Sequence, residues 1–184
     1  MDLGFAFVTP VWRVKNDYTR KELKELRKWA LEYERTHQGT SGEISSRGGY
    51  HSTYSTKFED IPNFGRISAK LNFLPKFGFQ SWWMNVNRKG DYNVNHIHPG
   101  SNLSLVWYLT DNNDSLYLES SQQHSRYIFE QMFKDQGLFD QHISINCKAG
   151  DMVLFPADVP HHVEAHQLES PRISIAMNLA FVLN

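Results

Sequence analysis

The chain has 184 residues, and 40% of them are hydrophobic, enough for the core of one ordinary domain. Nineteen Lys and Arg against 20 Asp and Glu give a formal net charge of −1, which argues against a nucleic-acid or membrane-surface binder that relies on bulk charge. A single cysteine, Cys147, excludes an internal disulfide and a multi-cysteine metal cluster. We therefore expect a cytoplasmic protein whose metal ligands, if any, are histidine or carboxylate.

The first third of the chain reads as an extended segment over residues 3–14, followed by helices. Thr19 and Glu22 have the spacing of a capping box, and apolar residues at helical intervals predict a helix that ends before Gly39. Small polar residues predict a loop from Gly39 to Gly49, and residues 50–56 again read as extended. Spacings of three and four predict a second helix over residues 61–75.

Beyond Gly78 the pattern changes to short apolar runs separated by turn residues such as those at 111–114 and 149–151. Residues 121–140 read as an insertion with one helical turn. Helices followed by a run of strands predict an α+β, mainly β chain, a sandwich or small barrel with flanking N-terminal helices. The predicted strands cover residues 79–87, 103–110, 116–119, 142–147, 152–155, 161–165 and 172–182.

Two histidine clusters are candidate metal ligands. Because strand side chains alternate, His96 and His98 point to one side and can bind one metal, although paired histidines are also common on plain surfaces. In the second cluster, His161 and His162, alternation lets only one ring face inward. Strands wound into a barrel can bring these histidines and a later basic residue, Arg172, into one mouth.

The last predicted strand has one polar and one apolar face. Ser and Asn beside an arginine suit a pocket that holds a carboxylate through the guanidinium group. Two simpler interpretations stay open: Arg172 pairs with Glu169 on the surface, and Tyr108 is only a buried phenol of a core strand. The residues of the polar face are Arg172, Ser174, Ala176 and Asn178.

The order and spacing of these motifs resemble the 2-oxoglutarate/Fe(II)-dependent oxygenases related to prolyl hydroxylases, in a His-x-His-Pro variant. The resemblance covers about residues 45–180. The segments that carry it are Gly48-Gly49-Tyr50-His51-Ser52, Trp83-x-Asn85, His96-x-His98-Pro99, Leu103-Ser104-Leu105-Val106-Trp107-Tyr108-Leu109, Val153-Leu154-Phe155-Pro156, His161-His162-Val163 and Arg172-Ile173-Ser174-Ile175-Ala176-Met177-Asn178.

The resemblance implies a double-stranded β-helix, or jelly roll, formed by residues 79–184, on which residues 1–78 pack to complete a single domain, 1–184. It implies that His96 and His161 bind Fe(II) and that Arg172 forms a salt bridge with the distal carboxylate of 2-oxoglutarate. Further contacts to the cosubstrate or substrate are implied for Ser174, Tyr108, Asn85 and Asn178.

The sequence departs from the wider superfamily at the second ligand, where that superfamily has Asp or Glu and this chain has His98. A neutral imidazole in place of a carboxylate adds one positive charge to the iron site and makes oxygen activation harder. We expect His98 to be the third ligand, with Asp91 in the preceding turn as the alternative.

The resemblance implies a dioxygenase, a hydroxylase, that couples oxidative decarboxylation of 2-oxoglutarate to C–H oxidation, with no catalytic residue beyond the ligands. Its partners would be O2 and a small-molecule or peptidyl substrate, without nucleic acid or membrane. Two other interpretations remain: a cupin-like metal enzyme that does not use 2-oxoglutarate, and a non-catalytic jelly-roll binding module. The cupin-like interpretation gives no task to Arg172, Ser174 and Tyr108.

Overall fold

The computed structural model describes residues 9–40, 45–120 and 142–182. In these ranges the helices are α1 (Arg20–Thr36) and α2 (Phe64–Ala69), and a 3-10 turn covers Phe58–Asp60. The strands are β1 (Trp12–Val14), β2 (Ser46–Arg47), β3 (Tyr50–His51), β4 (Phe77–Asn87), β5 (Tyr92–His96), β6 (Leu103–Tyr108), β7 (Asn112–Glu119), β8 (His142–Cys147), β9 (Met152–Pro156), β10 (His161–Val163) and β11 (Arg172–Phe181).

The strands form two antiparallel sheets that face each other. The larger sheet has the order β1-β9-β6-β11-β4-β3, and the smaller sheet has the order β2-β5-β10-β7-β8. From β4 onward the chain crosses repeatedly between the sheets, since β4, β6, β9 and β11 belong to the larger sheet and β5, β7, β8 and β10 to the smaller. This winding is a double-stranded β-helix, as the family resemblance implies.

Helix α1 covers the outer face of the larger sheet. Its N-terminus has the predicted capping box, in which the Thr19 side chain accepts from the Glu22 N–H and the Glu22 carboxylate accepts from the Thr19 N–H. Leu23, Leu26 and Ala30 recur at helical spacing and are buried against the sheet. The opposite face of the larger sheet is thereby left for the smaller sheet and for the cavity between the two.

Strand β11 separates two environments by the alternation of its side chains. Ile173, Ile175 and Met177 are buried in the core beneath α1, whereas Arg172 and Ser174 line the cavity between the sheets. The predicted division of this strand into an apolar and a polar face is therefore confirmed.

The segment that contains β2 and β3 joins the two sheets at one edge, because β2 pairs with β5 in the smaller sheet and β3 pairs with β4 in the larger sheet. Its turn requires glycine at position 48 for two reasons. Gly48 has φ +91°, and the carboxylate of Asp91 lies where a Cβ would be. The turn and Asp91 thus pack as one unit.

Several predicted elements have different bounds in the structure. The helix predicted for 61–75 is only α2, which ends before Lys70, and Pro75 disfavours helix in the residue that precedes it. The extended segment 50–56 contains only β3 and two isolated bridges, at Ser52 and Ser55.

Two other predicted bounds also change. The turn predicted at 111–114 is largely strand, because β7 begins at Asn112. The extended segment 3–14 is a strand only at β1, and residues 3–8 lie outside the described ranges, as does the insertion at 121–140. In the described part of the chain, no helix has the length and apolar character needed to cross a membrane.

Candidate metal and cosubstrate site

Three imidazoles meet at one end of the cavity between the sheets. His96 ends β5 and lies directly opposite His161 of β10 in the strand register, so their ring centroids are 4.2 Å apart. The His98 ring lies 5.1 Å from that of His96 and 4.9 Å from that of His161. One ligand nitrogen from each of the three lies within 4.8 Å of the others. The sequence-predicted set His96, His98 and His161 is therefore brought together.

Hydrogen bonds fix which nitrogen of each strand histidine faces the shared space. His96 Nδ1 lies 2.8 Å from the Val94 carbonyl oxygen, and His161 Nδ1 lies 2.8 Å from the Val159 carbonyl oxygen. A carbonyl oxygen only accepts, so each Nδ1 carries the proton and donates it. The Nε2 lone pair of each ring is left for a ligand bond.

The environment keeps the three rings neutral near pH 7, which is the form that binds metal. Burial lowers the pKa of His98 to about 4, with a further contribution from the nearby His96. Burial and the same neighbour lower the pKa of His161 to about 3. Burial also lowers the pKa of His96.

The neighbouring histidine, His162, points away from this cluster. Its Nδ1 lies 3.0 Å from Glu119 Oε1, and its ring stacks on Tyr117. His161, by contrast, is 4% exposed and lines the cavity. Strand alternation therefore separates the two adjacent histidines into an inner and an outer residue.

Arg172 is buried at the other end of the cavity and is 2% exposed. One of its guanidinium nitrogens donates to the Glu164 carbonyl oxygen at 3.3 Å. The alternative of a surface pair with Glu169 is wrong, because Glu169 pairs with Lys89 at 2.6 Å. The guanidinium group thus lies inside the protein on the histidine side of the larger sheet.

Neutral polar side chains flank Arg172 in a row across three strands. Ser174 of β11 lies opposite Asn85 of β4 on one side and Tyr108 of β6 on the other, and all three line the cavity. Burial raises the pKa of the Tyr108 phenol above its ordinary value, although Arg172 opposes this shift. Tyr108 therefore keeps its O–H proton and can donate a hydrogen bond at neutral pH.

The cavity lies between the two sheets, which contribute different chemistry. The smaller sheet and the loop after β5 supply the imidazoles and one amide, and the larger sheet supplies the guanidinium group, two hydroxyl groups and two amides. Apolar side chains form much of the remaining wall. The lining residues are Ser45, Trp83, Asn85, Asn87, Asn93, His96, His98, Val106, Tyr108, Leu116, His161, Val163, Arg172, Ser174 and Ala176.

Two predicted residues lie elsewhere than expected. Asp91, the alternative third ligand, uses its carboxylate to accept the Arg88 N–H at 2.7 Å and packs against Gly48, so it is not part of the imidazole cluster. Asn178 is not among the residues that line the cavity. Its Oδ1 lies 2.8 Å from His98 Nδ1 instead.

Four polar residues in or beside the cavity were not predicted from the sequence: Asn87, Asn93, Ser45 and Ser104. Asn87 could have been found, because it lies two residues after Asn85 and therefore on the same face of β4. Ser104 contacts His98 Nδ1 at 2.7 Å, and Ser45 and Asn93 lie on different segments that meet only in the fold. No sequence spacing signals these last contacts.

The residues present fit an iron ion and a dicarboxylate. Neutral imidazole nitrogens are suitable ligands for divalent iron, and a buried guanidinium with two hydroxyl groups is suited to a carboxylate. In the described part of the chain, Asn85 Oδ1 and Asn87 Nδ2 are buried in this cavity without a hydrogen-bond partner. Such groups are normally satisfied by a ligand or water.

Residues 81–178 match the family model described as "Putative 2OG-Fe(II) oxygenase", which covers more than half of the chain. The chain belongs to this family. The protein is thus an oxygenase that depends on Fe(II) and 2-oxoglutarate, as its motifs predict. A comparison of the oxygenase with curated proteins found no match.

Solved structures share the fold of the oxygenase at low sequence identity. The epimerase SnoN of nogalamycin biosynthesis has a TM-score of 0.70 at 13% identity, over 93% of this chain and 77% of its own. HygX from Streptomyces hygroscopicus, with nickel and 2-oxoglutarate bound, has a TM-score of 0.63 at 13% identity, over 95% of this chain and 84% of its own. A prolyl hydroxylase from Trichoplax adhaerens, in complex with a peptide fragment, has a TM-score of 0.66 at 13% identity, over 92% of this chain and 83% of its own.

Proposed function

We propose that this oxygenase is a hydroxylase in which His96, His98 and His161 hold Fe(II) and Arg172 holds the distal carboxylate of 2-oxoglutarate. The observation that carries the proposal is the shared cavity, with three imidazole nitrogens within 4.8 Å of one another and a buried arginine in the same lining. Fe(II) with 2-oxoglutarate supplies oxidation of a substrate C–H bond, coupled to oxidative decarboxylation of the cosubstrate.

The protein's own groups bind and orient the cosubstrate. Arg172 offers charge-assisted hydrogen bonds to a carboxylate, and Ser174 and Tyr108 offer hydroxyl donors beside it. Because Arg172 is buried, its charge is poorly screened by water and favours an anionic ligand strongly. A carboxylate at this end of the cavity sets the position of the opposite end relative to the imidazoles.

Apolar walls exclude water from the reacting end of the cavity. Trp83 packs edge-on against His98 with ring centroids 5.2 Å apart, and Phe155 packs edge-on against His161 at 4.8 Å. Val106 and Leu116 line the cavity between the histidines and Arg172. With iron held by the imidazoles, these side chains would shield its chemistry from solvent on these sides.

The third imidazole changes the charge of the site. With His98 in place of a carboxylate, the three protein ligands are neutral and leave the full charge of the metal for the cosubstrate to balance. We propose that this makes the site more dependent on the bound dicarboxylate and slower to activate oxygen than a site with one carboxylate ligand.

The metal assignment is tested by two adjacent substitutions. His161→Ala should abolish stoichiometric Fe(II) binding and succinate release, whereas the matched control His162→Ala should retain both, because His162 faces away and contacts Glu119. Anaerobic addition of 2-oxoglutarate to the Fe(II) protein should give a visible charge-transfer band. Metal binding without this band would favour the cupin-like enzyme, and no metal binding would favour the non-catalytic module.

We propose that the substrate is a peptide or a small molecule that approaches the imidazoles past an aromatic group. Tyr54 is half-exposed and packs edge-on against Trp83 at 4.9 Å, and Trp83 contacts His98. The prolyl hydroxylase structure contains a peptide, and one HygX structure contains hygromycin B. Succinate release with candidate peptides in one series and metabolites in another, each against His161→Ala, distinguishes the two classes.

We also propose that residues 1–184 form one domain and work in the cytoplasm. The packing of α1 onto the larger sheet supports the first part. The second is supported by the lone, buried Cys147 and by the need of Fe(II) for reducing conditions. Limited proteolysis that cut the chain into two stable halves would contradict the first, and recovery of the protein outside the cytosolic fraction would contradict the second.

A further inference from the structure

His98 is held differently from the other two imidazoles. The Nδ1 atoms of His96 and His161 each bond a backbone carbonyl two residues earlier on their own segment. His98 Nδ1 instead lies 2.7 Å from Ser104 Oγ and 2.8 Å from Asn178 Oδ1. Its orientation therefore depends on side chains from two distant strands.

The backbone alone does not set the His98 ring. Strand β5 ends at His96, two residues before His98, and the His98 N–H donates to the Ala157 carbonyl oxygen at 2.8 Å. That bond fixes the backbone of His98, but the imidazole ring can still rotate about the side-chain torsions. The ring is then fixed by its Nδ1 contacts and by the edge-on contact with Trp83.

The two partners form one row on the larger sheet. Ser104 of β6 and Asn178 of β11 are direct partners in the strand register, on the same side of β11 as Arg172 and Ser174. On its other side, Asn178 pairs with Ser81 of β4, and its Nδ2 donates to Ser81 Oγ at 3.5 Å. This second bond turns the amide oxygen toward His98.

We propose that Ser104 and Asn178 are positioning residues that hold His98 in the Nδ1–H form, so that its Nε2 lone pair faces the space shared with the other two imidazoles. The inference rests on the proposed function, because it takes His98 as a metal ligand. A ligating histidine whose other nitrogen donates to an oxygen has a fixed orientation and is a better ligand.

Asn178 has the larger part in selecting this form. The Ser104 hydroxyl can donate or accept, so by itself it also permits the opposite tautomer, in which Nε2 carries the proton and cannot bind a metal. The Asn178 amide oxygen only accepts and therefore requires the proton on Nδ1. The Asn178 amide oxygen is thus the hydrogen-bond acceptor for His98 Nδ1–H, as backbone carbonyl oxygens are for His96 and His161.

The test measures Co(II) affinity by visible absorption. Asn178→Leu should lower the affinity at least about tenfold, and Ser104→Ala should lower it less. Asn95→Leu is the matched control and should leave it unchanged, since Asn95 is an exposed residue of β5 that donates to Glu119 at 2.8 Å. Asn178→Asp should raise the affinity, because a carboxylate is a stronger acceptor; a merely structural role predicts no rise.

A second measurement needs no metal. In the apo protein, long-range 1H–15N NMR of labelled histidine should show His98 protonated on Nδ1, and Asn178→Leu should shift protonation toward Nε2. If the wild type binds no Co(II), the proposed function fails. If the wild type binds Co(II) while the Asn178 and Ser104 variants bind equally well, or if His98 is protonated on Nε2, only this inference is overturned.

Discussion

Single residues decide whether the cavity can hold its cosubstrate, and Arg172 is the most direct case. Arg172→Ala should raise the 2-oxoglutarate concentration for half-maximal succinate release about thirtyfold or more, because loss of a buried charge partner costs about 2 kcal/mol or more. Arg172→Lys should recover only part of the loss, since lysine keeps the charge and lacks the planar fork.

The matched control for Arg172 is Lys89→Ala, which removes a surface cation that pairs with Glu169. It should leave the dependence on 2-oxoglutarate unchanged. An unaltered half-maximal concentration in Arg172→Ala would contradict the assignment of this arginine to the cosubstrate.

Some of the individual site residues could be predicted from the sequence and others could not. Strand alternation gives the shared side of His96 and His98 and the polar face that carries Arg172, whereas the choice of His161 over His162 was implied only by the family resemblance. The resemblance implied that Asn178 contacts the cosubstrate or substrate, and strand alternation gives its face of β11 but not its partner. Its contact with His98 spans 80 positions and depends on the register of β6 with β11, which no local pattern contains.

At the scale of elements, the attachment of β1 to the rest of the larger sheet depends on a buried carboxylate. Asp151 accepts from Arg13 at 2.7 Å and from the Asn16 N–H at 2.9 Å. Burial by itself would raise the pKa of Asp151, but these bonds, with a third from the Lys148 N–H, outweigh it and the pKa is lowered. The charged form is thus favoured by folding.

This shift gives a pH dependence with a defined sign. A lowered carboxyl pKa stabilises the fold at pH values above the ordinary range and loses that stabilisation as the pH falls through the folded-state value. Asp151→Asn should lower the free energy of unfolding by about 2 kcal/mol at pH 7. The difference from wild type should shrink below about pH 4, as measured by urea denaturation.

The control for Asp151 is Glu169→Gln, which alters an exposed ion pair with Lys89. It should change the free energy of unfolding by less than about 0.5 kcal/mol at any pH. A difference between Asp151→Asn and wild type that stayed constant from pH 7 to pH 3 would rule out the electrostatic explanation.

Helix α1 stabilises the larger sheet from the face opposite the site. Leu26→Ala should lower the free energy of unfolding by about 2 to 5 kcal/mol, since Leu26 is buried in the core beneath the helix. Co(II) affinity should not change, because the helix does not line the cavity. Leu31→Ala, at an exposed position of the same helix, is the control and should be nearly neutral.

Among elements, the strongly patterned ones were predicted well and the context-dependent ones were not. Helix α1 has a capping box and a long apolar stripe, so its start and its buried face follow from local sequence. Strands β2 and β3 are two residues each and exist because β2 pairs with the smaller sheet and β3 with the larger sheet. Such short strands are fixed by tertiary pairing, which propensity does not encode.

At the scale of the whole molecule, a bound metal and cosubstrate should stabilise the fold because they contact both sheets. Co(II) alone, at about 100 times its dissociation constant, should add about 2.7 kcal/mol. For a chain of this size the unfolding midpoint should rise by roughly 5 to 10 °C, as measured by differential scanning calorimetry. His161→Ala should show little of this rise, and an equal rise in that variant would place the ligands elsewhere.

The metal-binding and carboxylate-binding groups come from different sheets, and this determines which cosubstrate can bind. The imidazoles belong to the smaller sheet with its following loop, and Arg172 belongs to the larger sheet. The distance between the sheets therefore selects the length of the cosubstrate. A 2-oxo diacid one carbon shorter or longer than 2-oxoglutarate would reach either the metal held by the imidazoles or Arg172, but not both.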